Sequence, residues 1–286
     1  MTQDASKAVS LGRVLVIAGS DSGGGAGIQA DIKSIMAQGA YATTAITALT
    51  AQNTRGVDDV LDVPPDFVVR QIQSIMSDIG TDIVKTGMLH RREIIEAVAQ
   101  QFDTKQAPPL IVDPVMVATS GDRLLEDKAI DVVMQLLVSK ASLVTPNLPE
   151  ASLMTRRDVE TLDDMKRAAD KIMDKGARAA LIKGGHGQER VVYDLLAQSS
   201  GFEVFEHERL VSKNTHGTGC TLASALAGQL AAQTNQARDE QRADGLDLLV
   251  ATEKALNYVH HAIATAPSNI GSGHGPLNHL GMTRQE

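Results

Sequence analysis

The chain has 286 residues; 43% are hydrophobic, which is enough for a sizeable core, but only 2% are aromatic and there is no Trp. The core must therefore be built from Ala, Val, Ile, Leu and Met. With 27 basic against 35 acidic residues the formal charge is −8, and the chain lacks the basic stripe that a nucleic-acid binder normally carries. The single cysteine, Cys220, excludes an intrachain disulfide and fits a reducing compartment. The N-terminus, MTQDASKAVS, has no apolar segment of the kind that directs secretion, and no apolar run reaches the length of a membrane span. Composition thus predicts a cytoplasmic protein without nucleic-acid or membrane partners.

Residues 1–12 read as a flexible tail. Residues 14–18 (VLVIA) form the first strand-like run and end in GSDSGGGAG, after which a helix fits 28–38 with Gly39 as its stop. A second β-rich run, 42–49, leads into Thr50-Ala51-Gln52-Asn53-Thr54, and 58–63 suits a further short strand. Pro64-Pro65 opens a helix to about 76. A strand over 82–85 enters Thr86-Gly87-Met88-Leu89, and a helix follows over 92–102. The alternation then repeats. Strands over 110–112, 142–144 and 179–182 end respectively at Asp113-Pro114, at Thr145-Pro146-Asn147-Leu148-Pro149-Glu150 and at Lys183-Gly184-Gly185. Helices are expected over 127–138, after a loop through Ser120-Gly121-Asp122, and over 162–175. A β pair fits 191–196 and 203–210. A helix over 218–233, a polar loop over 233–245, a last helix over 246–265 and a Gly- and His-rich tail over 269–279 complete the chain.

Strands alternating with helices in this way predict an α/β fold: a mainly parallel sheet with helices on both faces. No internal repeat or linker divides the chain, so 13–286 read as a single domain. In an open parallel sheet, ligands bind beyond the carboxyl ends of the strands. Polar or Gly-rich groups recur at those ends, with the turn 217–220 beside them. That turn, Gly217-Thr218-Gly219-Cys220, opens a small-residue helix. Two glycines let an anion approach the backbone, and the free N–H groups and dipole of a helix start favour negative charge. A thiol in such a place ionises more readily than a free one.

Other signals are weaker. Gly25-x-Gly27-x-x-Ala30 matches a relaxed dinucleotide fingerprint, but no strand ends in an acid about 20 residues on. There is no Gly-Lys-Ser/Thr phosphate loop. Asp113 and Glu150 suit a hydrated divalent ion; equally, Asn147 and Pro149 could start a helix whose first turn Glu150 stabilises. Lys183 before two glycines suits a cation reaching phosphate, or a surface lysine. Asp31, near the start of a helix, reads by itself as a solvent-facing acid. The histidines show no metal-ligand spacing. Met36, Met76, Met134 and Met173 read as core filler.

Taken together, AGSDSGGGAGIQADIK (18–33), ITALTAQNT (46–54), KTGML (85–89), VDPVMVATSGDRLL (112–125), TPNLPEA (145–151), KGGH (183–186), NTHGTGCTLASALA (214–227) and the tail GSGHGPLNH resemble one family over roughly residues 13–280. It is the hydroxymethylpyrimidine/phosphomethylpyrimidine kinase family of thiamin biosynthesis, in the ribokinase-like superfamily. The resemblance implies a three-layer fold, ATP and Mg²⁺ as cofactors, a homodimer, and phosphorylation of 4-amino-5-hydroxymethyl-2-methylpyrimidine and then of its monophosphate. It implies that Gln52 reads the pyrimidine, with Gly19, Asp31 and Met88 forming the pocket. Gly217, Thr218, Gly219 and Cys220 would form the catalytic anion hole. Lys183, Asn147 and Thr215 would serve the nucleotide phosphates, and Asp113 and Glu150 the metal, through water. Cys220 stands where the superfamily's sugar kinases usually carry an aspartate base. The first loop, Asp21-Ser22-Gly23-Gly24, departs from the family's frequent Asp-Pro-Ser-Gly-Gly, which implies a looser loop. The competing readings are a pyridoxal or pyridoxine kinase of the same superfamily and a non-catalytic pyrimidine sensor.

Overall fold

Short runs of branched apolar residues such as Val14-Leu15-Val16-Ile17 suit strands buried on both faces of a parallel sheet. The computed structural model describes residues 10–104, 106–116, 127–187, 189–240 and 246–280. In chain order the first half comprises β1 (Arg13–Ala18), α1 (Gly27–Ala37), β2 (Tyr41–Ile46), β3 (Ala48–Asn53), β4 (Gly56–Asp62), α2 (Pro65–Asp78), β5 (Ile83–Thr86), α3 (Arg92–Gln101) and β6 (Leu110–Val112). The second half comprises α4 (Asp127–Leu136), β7 (Leu143–Val144), α5 (Leu148–Thr155), α6 (Leu162–Met173), β8 (Ala180–Ile182), β9 (Val191–Gln198), β10 (Gly201–Glu208), α7 (Thr218–Asp239) and α8 (Leu248–Ala264). The expected tail lies outside the described residues at 1–9. Its remainder is already packed: Ser10 Oγ donates to Asn235 at 2.7 Å and the Gly12 carbonyl accepts the Tyr41 N–H at 2.8 Å. The loop through Ser120-Gly121-Asp122 also lies outside the described residues.

The main sheet runs β10-β9-β8-β7-β6-β5-β1-β2. Strands β2 to β8 of this sheet pair in parallel, and β9 and β10 add an antiparallel edge. Alternate side chains divide it between two cores. Leu15 and Ile17 join Val68, Ile72, Ile94, Val98, Ala168 and Ile172 beneath α2 to α6. Val14, Val16 and Ala18 join Ile28, Ile35, Leu226, Ala255 and Val259 beneath α1, α7 and α8. The expected three layers are present.

The helix that Asn147 and Pro149 could start is present as α5. Three expectations change. The second β run divides at Thr47, whose N–H goes to the Ala18 carbonyl; β2 stays in the main sheet, while β3 and β4 form a separate antiparallel hairpin. The helix after the 217–220 turn continues to Asp239 instead of stopping near 233. Of the four methionines expected in the core, Met36 and Met76 are exposed.

Candidate active site

Strand order reverses between β1 and its neighbours β2 and β5, which creates a crevice at the carboxyl ends of the strands. Gly19 and Met88 stand in it: the Gly19 N–H donates to the Met88 carbonyl at 3.1 Å, and a Cβ on Gly19 would collide with the Met88 side chain. The β3–β4 hairpin carries Gln52 beside this crevice. A register shift between Ala51 and Gln52 marks a bulge, a device that re-aims side chains beside functional sites.

The loop from Asp21 to Ala26 is braced. Asp21 accepts N–H bonds from Gly23 at 2.8 Å, Gly25 at 3.1 Å and Ala26 at 2.8 Å. Burial pushes its carboxyl up, but His216 and these backbone donors outweigh it and hold the group below its ordinary value. Ser22 Oγ donates to the Gln52 carbonyl and accepts the Gln52 N–H, both at 2.7 Å. The looseness expected without the family's proline is therefore countered by side chains of the loop itself.

The turn 217–220 packs on that loop. Gly217 has φ +81°, and a Cβ there would overlap the Gly25 carbonyl. It is the N-cap of α7, and the first intrahelical bond is Thr221 N–H to Gly217 O at 2.9 Å. Thr218 closes back on Thr215 through its N–H at 3.3 Å and its hydroxyl at 2.7 Å. The N–H groups of Gly219 and Cys220 have no acceptor within the described chain. Lys183 Nζ would lie 3.3 Å from a Cβ placed on Gly219. The Lys183 ammonium thus stands beside a helix start with two free N–H groups, a setting that suits an anion.

Behind them lies a buried chain of charges. Lys85 on β5 and Asp31 on α1 form an ion pair of 2.9 Å with 0% exposure of either side chain. Ser224 donates to the same Asp31 oxygen at 2.7 Å, leaving Asp31 Oδ2 buried without a partner. Burial opposes the charge on Lys85, but Asp31, then Cys220 and Asp113, keep its pKa above the ordinary value. Asp31 is therefore a fully buried acid, contrary to its reading as solvent-facing. Further along, Lys183 donates to Asp113 at 3.0 Å and stands 3.9 Å from Glu150. Burial raises the Asp113 carboxyl, and Lys183 and Lys85 more than reverse this. Burial pushes Glu150 up to about 7, only partly offset by Lys183.

Asn147 and Glu150 make a reciprocal cap of α5. Asn147 Oδ1 accepts the Glu150 N–H at 2.9 Å, and Glu150 Oε2 accepts the Asn147 N–H at 2.8 Å. The structural reading of this pair therefore holds, at the same place where the pair meets Lys183. Cys220 departs from expectation. It is partly buried, and burial, with Asp31 and Asp113 nearby, pushes its thiol up to about 12, outweighing Lys85.

Gly19, Met88, Asp113, Asn147 and Lys183 all follow strands of the main sheet, and Gln52 and the 217–220 turn close on them from the hairpin and α7. Lys85, Asp21, His216, Ser224 and Asp194 escaped sequence reasoning as individuals, although the first four lie within quoted motifs. Asp194 accepts the Gly184 N–H at 2.9 Å and so shapes the turn after Lys183. Among the described residues no group of three or more His, Cys, Asp or Glu is arranged to hold a metal by itself, and no helix is long and apolar enough to cross a membrane.

A family model described as phosphomethylpyrimidine kinase matches residues 21–278. The hydroxymethylpyrimidine/phosphomethylpyrimidine kinase of Bacillus subtilis (strain 168) is 42% identical over 277 residues, covering 96% of this chain and 97% of its own. The thiamine biosynthesis bifunctional protein ThiED of Geobacter sulfurreducens is 45% identical over 269 residues, which are 94% of this chain; the chain spans only about half (52%) of that protein. Among solved structures, the pyridoxal kinase from Staphylococcus aureus in complex with AMP-PCP and pyridoxal has a TM-score of 0.83 and 31% identity over 97% of both chains.

Proposed function

The chain belongs to the hydroxymethylpyrimidine/phosphomethylpyrimidine kinase family of thiamine biosynthesis, with its ribokinase-like fold and ATP-dependent kinase activity, and on that premise we propose how its own residues act. The acceptor, 4-amino-5-hydroxymethyl-2-methylpyrimidine, lies in the crevice between Gly19 and Met88 with Gln52 reading its polar edge. Asp31 supplies a carboxylate at the floor. The hydroxymethyl oxygen points to the α7 N-terminus, where the N–H groups of Gly219 and Cys220 and the Lys183 ammonium take up the charge on the transferring phosphoryl group. The observation that carries this is two N–H groups without acceptors beside a buried lysine, at a strand-end edge. Phosphoryl transfer depends on such positioning and charge stabilisation more than on covalent help.

Asn147 and Thr215 border the nucleotide phosphates. Asp113 Oδ2 is buried without a partner, a hard oxygen fit to accept from the water of a hydrated Mg²⁺, and Glu150 joins it once ionised. Bound there, the ion would neutralise phosphate charge. Residues 13–286 act as a single kinase domain in the cytoplasm and as a homodimer; Leu49 and Leu61, cross-strand partners on the hairpin, are 43% and 66% exposed and suit an interface. The likeness to a pyridoxal kinase supports pyridoxal as a second reading, at lower identity than the pyrimidine kinases. Gly217, Gly219 and Lys183 are all in place, which disfavours a sensor.

The test is mass analysis of products formed from ATP and the hydroxymethylpyrimidine. Both mono- and diphosphate are expected; absence of both refutes the reading, and phosphate on pyridoxal alone would favour the second.

A further inference from the structure

Three side chains from three elements meet above the first loop: Asp21, His216 before α7, and Gln52 at the β3 bulge. Asp21, an ionised carboxylate already bonded to three N–H groups, can only accept. His216 Nε2 lies 2.8 Å from Asp21 Oδ2, so that nitrogen must carry its proton and donate. Gly25 packs closely against this ring: a Cβ there would lie 2.6 Å from His216 Cδ2.

The same Nε2 stands 3.3 Å from the carboxamide nitrogen of Gln52. Two N–H donors would then face one another. On the other side, the Gln52 oxygen is 3.2 Å from Thr50 Oγ1. That hydroxyl has one proton, and the Ser20 carbonyl takes it at 2.9 Å, leaving lone pairs toward Gln52. Thr50 offers only lone pairs and so takes the nitrogen. The single Nε2 proton of His216, directed to Asp21 at 2.8 Å, reaches Gln52 at 3.3 Å only as a secondary, shared contact, which repels the amide NH2 and favours the oxygen. The two ends of a carboxamide have nearly the same shape, so proton balance decides between them.

We propose that His216, itself held by Asp21, is a positioning residue that locks the Gln52 carboxamide with its oxygen toward His216 and so makes the pocket selective for a 4-aminopyrimidine over its 4-oxo analogue. This rests on the aminopyrimidine reading above. In the locked state Gln52 keeps one lone pair and one N–H. Together they accept from an exocyclic amine and donate to the ring nitrogen beside it. A 4-oxo ring offers the inverse pattern, a carbonyl beside an N–H, and meets donor with donor. A carboxamide free to turn over would accept either.

Two measurements on the purified full chain test this. In the wild type, a long-range ¹H–¹⁵N spectrum reports which ring nitrogen of His216 carries the proton; Nε2 is expected, and an unprotonated Nε2 overturns the proposal whether or not any variant folds. Then KM for the aminopyrimidine and the inhibition constant of the 4-oxo analogue are compared in wild type, His216→Leu and His216→Gln. The selectivity ratio should fall roughly tenfold in His216→Leu, about the worth of one hydrogen bond, with kcat much less affected. It should return in His216→Gln, whose amide N–H can reach Asp21. An unchanged ratio in a His216→Leu protein with a native melting curve is contrary, and so is a fallen ratio that His216→Gln does not restore. A wild type that forms neither phosphate refutes the kinase reading instead, and leaves the proton assignment of His216 measurable.

Discussion

In the proposed site Cys220 stands where a base would act, but its surroundings work against that chemistry. Its thiol is pushed up to about 12 by burial and by the nearby carboxylates of Asp31 and Asp113, so the thiolate is scarce at neutral pH. Lys85 favours the anion, yet burial outweighs it. Removing a general base typically costs about 10²–10⁴ in rate. We expect Cys220→Ala to lose less than roughly tenfold in kcat, below that range. Gly217→Ala should lose roughly a hundredfold or more, as when a preorganised donor is displaced, because the turn needs φ +81° and has no room for a Cβ against Gly25. Turnover of the two purified variants at neutral pH checks both. A Cys220→Ala loss larger than that of Gly217→Ala would restore the base role.

The elements that bring these residues together are held by the C-terminal tail. Thr54, at the tip of the β3–β4 hairpin, accepts the His274 N–H at its carbonyl (2.8 Å) and the Gly273 N–H at its hydroxyl (3.2 Å). The Gly275 carbonyl accepts the His216 N–H at 3.2 Å. The tail therefore spans from the hairpin to the turn before α7. Its far end is pinned by His279, whose ring lies 3.0 Å from the Thr221 hydroxyl and whose carbonyl accepts the Tyr258 hydroxyl at 3.0 Å. Burial lowers the His279 pKa from 6.5 to about 4. The folded protein thus binds fewer protons than the unfolded chain between these values, and stability is lost as pH falls through that window. Melting temperature measured from pH 7 to pH 4 should fall less steeply in His279→Gln than in the wild type. Parallel curves would show that His279 is not buried in its neutral form.

Across the whole molecule, two apolar cores meet at the sheet, and the Lys85–Asp31 pair is a polar tie between β5 and the helical layer of α1 and α7. Neither side chain has any exposure. Breaking such a pair on one side leaves a buried charge uncompensated and costs about 3–5 kcal/mol, whereas replacing both partners with apolar residues is often neutral or stabilising. Lys85→Met should therefore lose stability on that scale in urea denaturation, and Lys85→Met with Asp31→Leu should recover most of it. A double variant as unstable as the single one would mean that the pair does not act as a unit. Asp31→Leu removes a proposed substrate contact, so denaturation is the appropriate measure and activity is not.

Periodicity, Gly and Pro stops and the polar ends of apolar runs determined the alternating architecture, and with it the edge where the candidate site lies. These are local properties, set by neighbours along the chain. The motifs in their order determined the family. Tertiary structure decided what neighbours in space decide. The run through Thr47 splits because its second half leaves β1 to form a hairpin with β4, and where a continuous apolar run leaves one sheet for another is set by its packing neighbours. Asp31 looks like any helical acid until Lys85, 54 positions away, meets it in the interior. His216 and Gln52 are 164 positions apart, and which end of the Gln52 carboxamide faces the histidine depends on Asp21 and Thr50 as well. The candidate anion turn was legible in Gly217-Thr218-Gly219-Cys220 because a helix start and two glycines are local. The state of the thiol within it was not, since burial and the charges of distant strands determine a pKa, and those exist only once the chain has folded.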